Sequence, residues 1–250
     1  MHYRGNAKMT RICLVGLGIV LSLQLAFAKD FHKKYTLAPG GQIVIANFLG
    51  DVRVRGSNRT DIEIIGKKKG ADRDKLEILD NSAENRVEIR LRPGPPEGSD
   101  ARVDFEVRVP KAVEYNYRRI SSFSGNVDIS GITGWLRAES IRGSVTLADV
   151  KGLVSATSFS GSIKAAIDNV QDRGNIRFSS ISGNIDVTAP SNLDALIDIS
   201  CASGMLKTDF PLQIEELRYG PGRSARGRLG KGKMILHMRS VTGRVSLTHM

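Results

Sequence analysis

The sequence is poor in cysteine, which excludes a fold held together by internal disulfides. Of its 250 residues only Cys13 and Cys201 are cysteine, and Cys13 lies in an N-terminal apolar run that we expect to be removed. Apolar burial must therefore supply the stability, which a chain of this length can do. Aromatic residues make up only 6% of the chain, and this disfavours the aromatic-lined pocket of a typical enzyme.

Long apolar runs are also scarce. The longest spans residues 12–25, follows a head with three basic residues, and precedes an Ala-x-Ala box that ends at Ala28. These three features together are typical of a secretory signal peptide. We therefore predict that residues 1–28 are removed by cleavage after Ala28 and that the mature chain is exported to the periplasm or the cell surface. The run is too short for a membrane span.

Positive charge is concentrated near the C-terminus. The chain carries a net charge of +11, and residues 204–250 hold nine Lys or Arg against three acidic residues. In an exported protein this charge disfavours nucleic acid as a partner and favours anionic envelope glycans or lipid head groups. Another envelope protein as partner, or a charge that serves only solubility, remains an alternative.

Glycine is abundant and recurs with a period of nine, at residues 125, 134, 143, 152 and 161. The second and fourth positions after each glycine are apolar, and the position between them is mostly polar. This alternation is typical of a strand with one buried side, because strand side chains point to opposite faces in turn. Each unit of nine therefore predicts one short strand followed by a corner.

The corners alternate between a Ser-rich kind and a variable, Asp-containing kind, so the full period is two units. This pattern predicts an all-β fold, a two-sheet β-solenoid with about 18 residues per coil and like corners stacked about 4.8 Å apart. We assign residues 121–250 to the regular repeats and residues 29–120 to an irregular N-terminal β cap region. A solenoid end offers a route to end-to-end self-association, with the C-terminal segment RVSLTHM expected to protect one end.

The Ser-rich corners place a serine six positions after the glycine slot in every coil but one, which has Cys201 there. A nucleophile would occur once, next to a base, whereas a recurring serine favours a ladder of hydroxyl groups that hydrogen-bond the corner backbone. We interpret the one cysteine at this slot as a serine substitute. The predicted corner ladder comprises Ser122, Ser140, Ser158, Ser180, Cys201 and Ser240.

The chain resembles a family of bacterial exported β-strand-repeat domains named "putative adhesins", whose function is unknown. The resemblance covers roughly residues 40–250. It lies in Val109-Pro110, which ends a strand, and in repeated Ser-Gly-x-[Ile/Val] units such as Ser124–Val127, Ser160–Ile163 and Ser182–Ile185. It implies a β-helix-like fold outside the cytoplasm and no known enzyme activity.

Three units are longer than nine residues, and all three begin at a glycine of a Ser-rich corner. Their extra residues therefore leave at the opposite, Asp-containing corner, which we interpret as the binding edge. The largest is a basic insertion at residues 211–233, for which a mobile solvated loop is the alternative. Its candidate residues for an anionic ligand are Arg218, Tyr219, Arg223, Arg226, Arg228, Lys231 and Lys233.

Patterns for catalysis or metal binding are weak in this sequence. The histidines are scattered and no ligand pair is spaced for a metal, so we expect no metal or cofactor; calcium at Asp149, Asp168 and Asp172 is the weaker alternative. The segment GRLGKGKM resembles a phosphate-binding loop but ends in methionine instead of a hydroxyl residue. We expect a non-enzymatic binding or scaffold module of the cell envelope. An envelope-stress or signalling accessory protein, and a β-helix enzyme that degrades polysaccharide, are the alternatives.

Overall fold

The computed structural model of the protein describes residues 30–92, 98–167, 174–216, 218 and 220–250. The predicted signal peptide, residues 1–28, lies outside the described residues. Within the described ranges, no helix is long and apolar enough to cross a membrane.

The described residues form twenty strands and one short 3-10 turn, Arg73–Lys75. The prediction of an all-β fold is therefore confirmed. The first ten strands are β1 Phe31–Tyr35, β2 Gln42–Leu49, β3 Val52–Ser57, β4 Ile62–Lys69, β5 Ile78–Asp80, β6 Arg86–Leu91, β7 Arg102–Pro110, β8 Glu114–Ser124, β9 Val127–Ser140 and β10 Val145–Lys151. The remaining ten are β11 Val154–Ser158, β12 Ile163–Ala166, β13 Asn175–Ser182, β14 Ile185–Ala189, β15 Ala195–Ser203, β16 Leu206–Thr208, β17 Ile214–Glu216, β18 Arg223–Leu229, β19 Met234–Thr242 and β20 Val245–His249.

The strands pair in two series, which we call ladder A and ladder B. Ladder A runs through β7, β3, the first part of β9, β10, β12, β14, β20 and β16, all parallel. Ladder B runs through β6, β2, β8, the second part of β9, β11, β13, β19 and β15, also parallel. Because β9 passes from one ladder to the other, all twenty strands belong to one hydrogen-bonded sheet.

The middle of the chain stacks in sequence order. Val145 pairs with Val127 on one side and with Ile163 on the other, eighteen residues away each time. The alternation in the sequence makes this possible, because the apolar residue of each strand meets the apolar residue of the next. These three side chains are fully buried, and each such burial contributes about 1.5–3 kcal/mol to stability.

Both ends of the stack depart from sequence order. Strands β2 and β3 lie between the later pairs β6–β7 and β8–β9. Strands β19 and β20 lie between β13–β14 and β15–β16. The expectation that the C-terminal RVSLTHM segment protects an end was therefore wrong, because β20 is hydrogen-bonded to a strand on each side. The long connection from β16 to β19 gives the chain room to return to this inner position.

Antiparallel strands cover the two ends. At one end β4 pairs with β7, β1 pairs with β4, and β5 pairs with β6. At the other end β18 pairs with β15 and β17 pairs with β18. Of the outermost strands, β5, β16 and β17 are three residues long and β1 is five, and short edges resist strand addition. The ends predicted for self-association are therefore short and partly covered.

The three insertions leave the stack at one corner. The connections from β12 to β13, from β14 to β15 and from β16 to β19 all run from ladder A to ladder B. The basic insertion is not a mobile loop where it is described, because β17 and β18 form an antiparallel pair within it. The connection from β6 to β7 runs the other way, from ladder B to ladder A.

Candidate functional site

The Ser-rich corner is a hydrogen-bonded column. Each serine hydroxyl donates to a glycine carbonyl of the neighbouring level. The donor–acceptor distances are 2.8 Å for Ser122 to Gly50, 2.8 Å for Ser140 to Gly125, 3.0 Å for Ser158 to Gly143, 3.3 Å for Ser180 to Gly161, and 3.0 Å for Ser240 to Gly183. All five serines are buried. Hydroxyl groups engaged in this way satisfy backbone carbonyls, which supports a structural role.

The ends of this column use other residues. Cys201 lies opposite Ser240 and is a free, fully buried cysteine. Asn47 lies opposite Ser122, and its Nδ2 donates to the carbonyls of Gly50 at 2.9 Å and Val103 at 2.8 Å. The sequence signal for Asn47 was the segment NFLG, which occupies the place of SFSG in later units.

The predicted basic residues of the insertion do not converge on one point. Arg226 and Arg228 are exposed on β18, and Arg226 Nε donates to Asp198 Oδ1 at 3.1 Å. Arg223 is exposed at the start of β18, where it lies opposite Cys201 in the backbone register. Lys231 lies in the turn after β18, and the backbone N–H of Lys233 donates to Asp194 Oδ1 at 3.1 Å. Arg218 is exposed. Tyr219 lies outside the described residues.

A denser group of arginines, which the sequence did not reveal, lies on the outer face of ladder B. A cleft of about 470 Å³ opens there beside Trp135, which is 38% exposed. We call it the arginine cleft. The arginines that line it are Arg86, Arg90, Arg118, Arg119 and Arg137.

A strand irregularity creates part of this cleft. Tyr117 pairs with Leu136 and Ile120 pairs with Ala138, so two residues of β8 face the single residue Arg137 of β9. In a regular strand Arg118 and Arg119 would point to opposite faces, whereas both are exposed here. The bulge thus keeps two successive guanidinium groups out of the core.

Two glutamates hold four of the five arginines. Glu139 accepts from Arg137 Nε at 2.6 Å and lies 3.2 Å from Arg119 Nε. The buried Glu88 pairs with Arg86 and Arg90. Arg118 forms no ion pair with any described residue. Five guanidinium groups against two carboxylates leave three positive charges, beside an indole face, for an anionic ligand to neutralise.

One row on ladder B connects the cleft to the insertion. From Arg137 the strand register passes through Ser155, Arg177, His237 and Asp198 and reaches Arg226. Five steps of about 4.8 Å place the two ends of this row about 24 Å apart. The structure therefore brings the predicted Arg226 onto the same face as the arginine cleft.

The remaining candidate chemistry finds little support. Within the described ranges, no three His, Cys, Asp or Glu side chains are grouped to hold a metal. Asp149 is exposed with a φ of 48°, whereas Asp168 and Asp172 lie outside the described residues. The segment Gly227–Met234 forms the end of β18 and the turn into β19, whereas a phosphate-binding loop leads into a helix.

The fold and its corners define a class, the β-helix-like all-β domains with stacked parallel strands. The family model described as Toastrack DUF4097 matches residues 111–221 of the chain. The predicted resemblance to an adhesin-type family of unknown function is thereby confirmed.

The chain also resembles solved structures at low identity. A "putative cell adhesion protein" from Clostridium sporogenes is 11% identical over 89% of this chain and 100% of that chain, with a TM-score of 0.49. A "putative adhesin" from Bacteroides fragilis is 13% identical over 89% of this chain and 97% of that chain, with a TM-score of 0.32. No curated protein matches the chain.

Proposed function

We propose that this chain is an exported, non-enzymatic binding module of the bacterial cell envelope that holds an anionic glycan on the outer face of ladder B. The finer fold that we propose is the two-sheet β-solenoid, which the eighteen-residue register of β9, β10 and β12 supports. The observation that carries the functional proposal is the arginine cleft, where five guanidinium groups and Trp135 stand on stacked strands.

An anionic polysaccharide suits this surface better than a small anion does. Guanidinium groups bind carboxylate and phosphate in two-pronged pairs, and an indole offers a flat face to a sugar ring. The row that continues through Arg177 to Arg226 gives further contacts along about 24 Å. A polymer that reaches several of these points gains affinity from linked contacts without any one contact being strong.

The cleft favours binding over polysaccharide cleavage. A glycosidase needs one carboxyl group that protonates the leaving oxygen and a second one that acts as base or nucleophile. Glu88 and Glu139 are each paired with two guanidinium groups, an arrangement that holds the arginines in place for binding.

The test uses the fluorescence of Trp135, the single tryptophan of the chain, in the mature protein. Polygalacturonate should change this fluorescence in a saturable manner that weakens with added salt, and uncharged dextran should not. The double variant Arg118→Ala/Arg119→Ala should bind polygalacturonate at least tenfold more weakly, because it loses two of the five cationic contacts.

The control variant is Arg53→Ala/Arg55→Ala, which removes the same charge from exposed positions of β3 on ladder A. This variant should bind polygalacturonate within about twofold of the wild type. An equal loss in both double variants would reduce the effect to net charge and overturn the proposal. Release of reducing or unsaturated sugar ends would identify an enzyme instead.

A further inference from the structure

A second cleft, of about 390 Å³, lies where the outer face of ladder B reaches the Ser-rich corner. Its apolar lining includes Phe48, Phe123 and Ile141, and its basic lining includes Arg90, Arg92 and Arg119. The rings of Phe48 and Phe123 stack with centroids 5.0 Å apart and planes inclined by 12°. This volume is in the range of sites for small organic ligands.

An exposed apolar row continues from this cleft along the corner. The carbonyls of Phe123, Ile141 and Phe159 accept hydrogen bonds from backbone N–H groups of the next level. The Ile181 carbonyl accepts one from Thr242 Oγ1 at 3.1 Å. Their exposure is 38% for Phe123, 40% for Ile141, 52% for Phe159 and 45% for Ile181, and Val241 on β19 is 41% exposed. The row from Phe48 to Val241 spans five strand steps of about 4.8 Å, or about 24 Å.

The apolar side chains of this row are exposed, so packing within the protein does not explain why these positions are apolar. Phe48 follows the buried Asn47, and every later member follows a buried serine of the corner column, so a polar residue at these exposed positions would leave the column intact. Contiguous exposed apolar side chains on a soluble domain mark a binding surface. An extended acyl chain fits along the row. One acyl chain fills one leaflet of a bilayer's hydrocarbon core, which is roughly 15 Å thick, and the row is longer than this.

Charge at one end of the row indicates the head group of the ligand. Arg90, Arg92 and Arg119 line the cleft, and the guanidinium of Arg142 lies 5.4 Å from the centre of the Phe123 ring. Arg90, Arg92 and Arg119 also pair with Glu88, Glu77 and Glu139, whereas Arg142 forms no ion pair with a described residue. An anionic head group would therefore meet an excess of positive charge at the cleft end.

Asn47 supplies a second indication that this cleft binds a ligand. This residue lines the cleft and is only 6% exposed, and its Oδ1 is buried without a hydrogen-bond partner among the described residues. Its Nδ2 is already used by two backbone carbonyls, so only an incoming donor can satisfy the oxygen. Buried polar atoms without partners are rare and require an explanation.

We propose that this cleft and row form a binding site for one single-chain anionic amphiphile. The carboxylate or phosphate head group pairs with the arginines, a hydroxyl or amide N–H beside it donates to Asn47 Oδ1, and the acyl chain lies along the row from Phe123 to Ile181. The site adjoins the proposed glycan surface, and Arg90 and Arg119 line both clefts.

The test is calorimetric titration of the mature protein with laurate and with dodecyl phosphate, each below its critical micelle concentration. We expect one site for both amphiphiles and at least tenfold weaker binding of dodecyl maltoside, whose head group is uncharged. Ile141→Ser and Phe159→Ser should each weaken laurate binding at least fivefold. Leu153→Ser, which changes an equally exposed apolar residue in the connection between β10 and β11, should leave it within twofold.

Several results would overturn this proposal. The first is the absence of amphiphile binding, and the second is an equal loss of laurate binding in all three variants. The third is binding to anionic vesicles but not to monomeric amphiphile, which would indicate a membrane-docking edge instead. Thermal unfolding should be unchanged in the three serine variants, because their side chains are exposed. Ile141→Ser should bind polygalacturonate as the wild type does. The amphiphile proposal and the glycan proposal can therefore be refuted independently of each other.

Discussion

At the scale of single residues, the Ser-rich corner depends on two requirements that repeat at each level. Glycine is needed because an added Cβ at Gly161 would collide with the Gly143 carbonyl oxygen of the level beside it. Serine is needed because this close approach buries the same carbonyl away from water, and a donor within reach must satisfy it. The two residue types therefore recur together.

Ser158→Ala tests the corner column. Ser158 is fully buried and donates to the Gly143 carbonyl at 3.0 Å, so the variant leaves that oxygen without its donor. We expect the free energy of unfolding in urea to fall by about 1–3 kcal/mol. Ser155→Ala, on the outer face of the same strand, should change it by less than about 0.5 kcal/mol. Equal effects of the two variants would show that the column contributes nothing specific.

Recurrence explains which residues the sequence could predict. The corner serines were predictable because the same slot is filled in coil after coil, and Cys201 and Asn47 could be placed by their position in that series. The arginine cleft was not predictable, because it depends on one bulge in β8 that brings Arg118 and Arg119 to the same face. A single irregular position leaves no periodic signal in the sequence.

At the scale of elements, one aspartate joins β1 to β5 at the N-terminal end of the stack. Lys33 Nζ donates to Asp80 Oδ2 at 2.6 Å, and the Tyr35 hydroxyl donates to the same oxygen at 2.9 Å. Burial raises the pKa of Asp80, but the hydrogen bonds from Lys33, Ser82 and Tyr35 outweigh burial and lower this pKa to about 2. Burial and the nearby carboxylate raise the pKa of Tyr35.

Asp80→Asn should therefore have a pH-dependent effect on stability. The folded-state pKa of about 2 lies below the unfolded value of about 3.9. The stabilisation is thus complete above about pH 4 and disappears as the pH falls towards 2. At pH 7 the variant should lose about 1.5–3 kcal/mol of unfolding free energy, and near pH 2 it should match the wild type. Urea unfolding across this range gives the measurement.

The matched control is Asp74→Asn, whose side chain is 66% exposed and lies 3.9 Å from Arg73. This variant should follow the wild type at every pH. A loss in Asp80→Asn that persists unchanged at pH 2 would mean that its cause is not the ionised carboxylate.

The elements themselves were predictable where the period was regular, and their order in space was not. The alternation of apolar and polar residues determines which side chains of β16 and β20 face inward. Both strands satisfy this pattern, with Leu206 buried in β16 and Val245 buried in β20. Either strand could therefore follow β14 without a change of pattern. The choice depends on the length and path of the β16–β19 connection, which the period does not encode.

At the scale of the whole molecule, the C-terminal strands have an interior place. Strand β19 separates β13 from β15, and β20 separates β14 from β16. In a stack that follows sequence order, removal of the last strands exposes one end and leaves the rest paired. Here their removal leaves two gaps within the stack.

A chain that ends at Lys233 tests this arrangement by hydrogen exchange. Backbone amides of β15 and β18 should lose protection, whereas those of β9 and β10 should keep it, because their neighbours remain. A chain that lacks β1 should lose protection only at the adjoining β4, since β1 is an outermost strand. Retained protection of β15 in the shortened chain would mean that β13 and β15 can pair directly, and that the inner position of β19 is dispensable.

The inner position of β19 and β20 also bears on the timing of synthesis. Residues 234–250 are made after the strands that they separate, so β15, with its buried Ile197 and Ile199, can pair with β18 first and gains β19 as a partner only later. Strands β9, β10 and β12 are separated by only eighteen residues and can pair first, because short loops close at little entropic cost. We therefore expect the centre of the stack to pair before β19 and β20 take their inner positions.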